Sequence, residues 1–302
     1  MKKPIFKRLG ALALALALTA GALGALAGTA MPARAETVTG QTVYANAKAS
    51  IDASNLAEGY LIIKYTGGKN VRIKVQITKA GGESYNYDLN NAGNPETFPL
   101  TEGDGSYTVK VLENTTGSKY AQAYSTSVTM TLRNDFLPFL YPNQYVNYTA
   151  DSKTVAKAAE LCGSLGEVDK VGKVFDFVVD NVKYDYDFDK EVSEGKHTGY
   201  LPTVDNTLAT GKGICFDYAA LMTAMLRSQN IPCKLVIGYA GQVYHAWINV
   251  YIEGVGWVDK VIYFDGTNWI LMDPTFTSSG GRSDSIMKYV TNSSNYSQKY
   301  AY

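Results

Sequence analysis

The sequence predicts an α+β protein: an all-β half first, then a half that mixes helices with strands. Three observations predict it. Between residues 36 and 135, short runs of alternating apolar and polar residues are parted by glycine-rich turns. From Glu167 the apolar spacing changes to that of a helix. A largely apolar helical stretch at 215–228 then gives way to strand-like runs, among them VYHAWINVYI at 243–252.

The first 35 residues belong to neither half. The chain opens MKKPIFKR, runs apolar from Leu9 to Met31 and reaches Ala33-Arg34-Ala35, a small-x-small pattern. Charged start, apolar middle and small-residue end describe a secretory signal peptide, with Glu36 the mature start. The apolar run is long enough to span a bilayer, but alanine and glycine dilute it and the cleavage pattern follows. Cleavage is therefore favoured over an uncleaved anchor. The closing NYSQKYAY has no apolar tail, so no integral membrane segment is expected once the signal is removed. The expected setting is secreted, extracellular or at the cell surface.

Removing the signal changes the charge. Five of the 28 basic residues lie in 1–35 and no acid does, which leaves 23 basic against 28 acidic residues, a net charge of −5. That balance argues against a nucleic-acid partner, which would require a basic face.

In order along the chain, GYLIIKY (59–65) is a nearly continuous apolar run, whereas VRIKVQITK (71–79), GSYTVKVLEN (105–114) and SVTMTL (127–132) alternate. TGGKN, AGGES and EGDGS supply turns between them. Such regular short strands predict an immunoglobulin-like β-sandwich over 36–135. The segment holds no Cys and no His, so its expected work is spacing, docking or binding, with a cell-wall or surface component as the candidate partner. Residues 136–150, with two prolines and little periodicity nearby, read as a linker. Val168, Val171, Phe175, Val178, Val179 and Val182 then recur at helical spacing. YDYDFDKE (184–191) alternates acids like a calcium loop, yet Lys190 and Lys196 stand where such a loop needs glycine and an acid. It reads as a solvated connector, and no metal is expected.

The chemistry concentrates after residue 210. Gly211 and Gly213 make a turn, and Cys215 to Ser228 reads as a helix with Cys215, Ala219, Met222 and Leu226 on one face. The first N–H groups of a helix are unpaired and partly positive. A thiol at such a mouth is favoured as the thiolate, and the same N–H groups can hold a developing oxyanion. Gly213 is expected to let a substrate chain approach the backbone closely. The other cysteines lack this setting. Cys162 falls on an apolar helix face and Cys233 starts a strand; the two could pair, but they read more simply as buried thiols.

A cysteine nucleophile needs a base, and only His197 and His245 are available. His197 sits in a polar loop. His245 sits on a strand whose alternation puts His245, Trp247, Asn249 and Tyr251 on one face. For an acid to orient the imidazole there are two candidates, Asp259 in GWVDKV and Asp273 in NWILMDPT. The Asp265-Gly266 turn lets the strand leading to Asp273 fold back antiparallel, near His245.

GKGICFDYAALMTAMLRSQNIPCKLVIGY, then HAW, then WILMDPTF together resemble the transglutaminase-like superfamily of papain-type cysteine enzymes. The resemblance covers roughly residues 150–280, and the β half is not part of it. It implies a papain-like core, a helix bearing the cysteine packed on an antiparallel sheet, over 151–280, followed by a C-terminal tail at 281–302. It also implies a Cys215–His245–Asp273 triad and acyl transfer through a thioester, without a cofactor. The stretch from HAW to DPT is longer than usual in the family, which is why Asp259 competes with Asp273; the DPT context favours Asp273. The substrate implied is a protein or peptide amide, with water (peptidase or amidase) or a lysine amine (cross-linking) as acceptor. The alternative is a surface or cell-wall binding protein that keeps the fold without turnover. Every triad residue lies beyond residue 140, so that segment is expected to act on small substrates without the β half.

Overall fold

The computed structural model describes residues 40–258, 262–264, 269–271, 275, 278 and 293–302. The signal segment and both candidate aspartates lie outside them.

Eight strands build the first half: β1 (Val43–Ala45), β2 (Ala49–Asp52), β3 (Tyr60–Tyr65), β4 (Ile73–Lys79), β5 (Ser84–Leu89), β6 (Glu96–Pro99), β7 (Gly105–Thr116) and β8 (Lys119–Met130). They form two antiparallel sheets, ordered β1-β2-β3-β6 and β5-β4-β7-β8. Alternation acts as expected in β4, where Ile73, Val75 and Ile77 are buried and Lys74 and Gln76 are only partly so. Side chains of the two sheets meet. The Phe98 ring of β6 stands edge-on to Tyr87 of β5 at 5.2 Å. Tyr65 of β3 donates its hydroxyl to Glu113 of β7 at 2.7 Å.

Residues 136–150 were expected to be a linker, but they pack. Leu137, Phe139, Val146 and Tyr148 are buried, and Gln144 donates its side-chain amide to Asp88 O on the edge of β5 at 2.8 Å.

The second half comprises α1 (Lys153–Cys162), α2 (Glu167–Asn181), β9 (Lys183–Tyr184), α3 (Tyr186–Ser193), α4 (Val204–Thr210), β10 (Lys212–Gly213), α5 (Cys215–Ser228), β11 (Cys233–Ala240), β12 (Val243–Ile252), β13 (Gly256–Val258), β14 (Ile262–Phe264), β15 (Trp269–Leu271) and β16 (Tyr296–Ala301). An antiparallel sheet runs β13-β12-β11-β16. Helix α5 packs on β11 and β12 and is also contacted by α1, α2 and α4. Every residue from Asp217 to Ser228 is consequently buried, which is the state of a helix apolar nearly all round.

Two expectations change here. The acidic connector is helical: α3 begins where Asp185 accepts the Phe188 N–H at 3.1 Å, so its acids cap and flank a helix start. The described end of the chain, 293–302, is no tail. β16 pairs along β11, because the outer backbone edge of β11 needs partners, and Tyr302 is buried beside it. Tyr85 of β5 packs edge-on against Tyr300 and Tyr302 at 5.2 and 5.4 Å, and Thr101 donates to Ala301 O at 2.7 Å. The two halves thus share a seam made of β5 and β16. β14 pairs antiparallel with β15, in a sheet separate from that of β12, and the Asp265-Gly266 turn itself lies outside the described residues.

Candidate active site

Cys215 is the first residue of α5, and the chain before it is held from several sides. Strand β10 pairs in parallel with β9, and Asp185 donates its N–H to Gly213 O at 3.0 Å. Gly211 closes α4 in the left-handed region, at φ 59°, where a Cβ would lie 2.8 Å from Asn181 O. The run of Ala, Leu and Met after Cys215 then propagates helix until Asn230, at φ 62°, and Pro232 end it. The chain reaches Ile214 extended and turns into helix at Cys215, leaving the thiol half-buried at the mouth.

Within the first turn, Asp217 and Tyr218 donate their N–H groups to Ile214 O at 2.9 and 3.1 Å. The N–H groups of Cys215 and Phe216 have no carbonyl to meet within the helix. That pair is suited to holding an oxyanion.

Sequence reading passed over Asp217. It is only 2% exposed, accepts the Ile214 N–H at 2.9 Å through Oδ2 and accepts the Tyr200 hydroxyl at 2.5 Å through Oδ1. Burial pushes its pKa up, and these donors act against that rise. Its position corrects the role given to Gly213. A Cβ on Gly213 would lie 2.5 Å from Asp217 Cβ and 3.0 Å from its Cγ, so the absent side chain makes room for Asp217. An acid at the third position of a helix start was the available signal.

A cavity of about 610 Å³ lies beside Cys215, and His245 also lines it. His245 is 5% exposed and sits opposite Gly238 on β11. Its imidazole lies nearly parallel to the buried Trp247 ring, 6.3 Å away. Tyr244, Asp189 of α3, Tyr300 and Tyr302 form further walls, and Asn86 of β5 reaches in from the β half. Tyr184 and Tyr244 both lie within electrostatic reach of the thiol. Burial raises the pKa of each, and negative charge on Cys215 raises it further.

The remaining candidates fall elsewhere. His197 is exposed and bonded to Glu191 Oε2 at 2.8 Å. Cys162 and Cys233 are unpaired and buried; burial raises the Cys162 thiol and pushes that of Cys233 up to about 12. Asp259 and Asp273 lie outside the described residues.

Residues 156–274 match the transglutaminase-like superfamily. A UPF0252 protein of Methanocaldococcus jannaschii is 30% identical over 154 residues, 47% of this chain and 41% of that protein. The chain thus spans less than half the length of this relative. A candidate cysteine protease of Cytophaga hutchinsonii aligns with 86% of this chain and 73% of its own at 17% identity, with a TM-score of 0.38. A candidate protease of Parabacteroides distasonis aligns with 67% of this chain and 37% of its own at 16% identity, with a TM-score of 0.29. The family match takes in Cys215, His245 and both aspartates, and residues 156–274 are accordingly a transglutaminase-like core.

Proposed function

We propose that the protein is an exported cysteine-dependent enzyme that transfers the acyl group of protein or peptide amides. One observation carries this reading: Cys215, at the first position of a buried helix, and His245, on the neighbouring sheet, line the same cavity. In the proposed reaction Cys215 Sγ attacks the amide carbonyl and the helix-start N–H groups hold the oxyanion. The C–N bond breaks, the proton held by His245 goes to the leaving amine, and a thioester remains. Asp273 is proposed to orient the imidazole and to stabilise its charged form. Water or a lysine amine then attacks the thioester and restores the thiol.

The test is mass spectrometry of the purified protein after incubation with a glutamine peptide and a labelled amine. We expect an acyl adduct on Cys215, followed by peptide acid or peptide–amine product, both absent from Cys215→Ser. No adduct and no product, in protein whose Cys215 still alkylates, would overturn the reading. The β half is proposed as an immunoglobulin-like module that binds a cell-wall or surface component. Strands β2, β3 and β6 in one sheet and β4, β7 and β8 in the other support the first part of that proposal. Export rests on residues 1–35, and an N-terminus at Glu36 in secreted protein is the expected result.

A further inference from the structure

We infer that Asp217 is a positioning residue for the nucleophile, a buried carboxylate that locks the Gly213–Ile214 turn to the start of α5 and ties both to the cavity wall. The inference rests on Cys215 being the reacting group. A carboxylate two residues from a thiolate opposes it electrostatically, and burying one costs free energy unless donors surround it. Asp217 is the third residue of α5, the position from which an acidic side chain reaches back to the backbone N–H that precedes the helix. What the carboxylate adds is reach in two directions.

Oδ2 takes the Ile214 N–H at 2.9 Å. Oδ1 takes the Tyr200 hydroxyl at 2.5 Å and faces the Thr207 hydroxyl at 3.5 Å. Ile214 immediately precedes Cys215, so the first bond sets where the nucleophile's backbone stands. Tyr200 packs edge-on against Phe188 of α3 at 4.9 Å, and α3 supplies Asp189 to the cavity. Nucleophile and wall therefore share one anchor. Gly213 belongs to the same device, since three atoms of Asp217 lie within 3.1 Å of where its Cβ would stand.

The test reads iodoacetamide alkylation of Cys215 in the whole protein by mass spectrometry, across roughly pH 5 to 9, with the fold of each variant checked by circular dichroism. Asp217→Ala is expected to slow alkylation about tenfold. Asp217→Asn keeps an oxygen for the Ile214 N–H and should recover the rate to within about threefold of the parent. Gly213→Ala should lose as much as Asp217→Ala, yet cost less than about twofold more when added to Asp217→Gly, because glycine at 217 removes the Cβ that would stand 2.5 Å away as well as the carboxylate. An Asp217→Ala protein that alkylates like the parent, or a double variant whose loss is the product of the two single losses, would overturn the inference. If Asp217→Ala does not fold, Gly213→Ala and Tyr200→Phe decide, and parent-like rates in both overturn it. Alkylation needs no substrate, so these outcomes are separate from the acyl-transfer reading. That reading fails instead if the parent, with Cys215 still alkylating, forms neither adduct nor product with the glutamine peptide and amine.

Discussion

At the residue scale, environment distinguishes the three thiols. Cys215 lines an open cavity at a helix mouth, whereas Cys233 is buried with its thiol pushed up to about 12 and Cys162 is buried and raised. At neutral pH, iodoacetamide should therefore label Cys215 well before the other two, as peptide mapping would reveal. Equal rates at all three would remove Cys215 from the mechanism. The third member of the proposed triad is decided by substitution. Asp273→Asn should favour the wrong imidazole tautomer and reduce turnover by as much as ~10⁴-fold, while Asp259→Asn should stay within about threefold of the parent. The reverse ranking in folded proteins would exchange their roles.

At the element scale, two contacts set how strands meet. Gly238 lies where β16 joins β11 with an irregular register. A Cβ there would overlap Ser297 O and stand 2.8 Å from Trp247 Cη2. Gly238→Ala should cost about 1–3 kcal/mol, read as a lower Tm, and it should slow turnover as well because Trp247 lies alongside His245. Between the sheets of the β half stands Glu113, its side chain 4% exposed. Burial alone would raise its pKa; hydrogen bonds from Lys69, Tyr65 and Lys48 outweigh that and hold it at about 2. The carboxylate therefore stabilises the fold fully above its ordinary value near 4.5, and this contribution fades as pH falls toward 2. Glu113→Gln should lower stability at neutral pH by on the order of 2 kcal/mol. It should also flatten the acid limb of a Tm-against-pH curve, and an unchanged limb would refute the assignment.

Across the whole molecule, the β half is more than an appended module. Tyr85 packs on Tyr300 and Tyr302, which line the cavity, and Asn86 lines it directly. Arg227, at the end of α5, adds a second tie. It is buried and donates to Tyr141 O, Cys233 O and Tyr302 O at 2.5, 2.9 and 2.7 Å, joining helix, connecting segment and last strand. Tyr85→Ala is accordingly expected to cost about 3 kcal/mol in stability and, by loosening β16, to raise KM for a peptide substrate. A lower Tm with KM and Cys215 labelling unchanged would restore the self-sufficient catalytic half that the sequence suggests.

Local pattern was enough for much of this. Alternation in 71–79 is visible because one face of β4 meets the core, and the helix at 215–228 because Ala, Leu and Met run on without a breaker. Cys215 and His245 were legible because reactive side chains are scarce in this chain and their settings differ from those of Cys162, Cys233 and His197. Residues whose role depends on distant partners were not. β16 reads as a polar tail because only its two ends are buried, and its strand form comes from β11. The acids of α3 carry no period that separates a helix start from a solvated connector. Asp217 looks like one more polar residue until Tyr200 and Thr207, from segments before the helix, close around its carboxylate. Sequence by itself determined most of the elements and which side chains are the candidates to react. Tertiary structure alone decided which of them share a cavity, because long-range packing sets those distances and no local period records it.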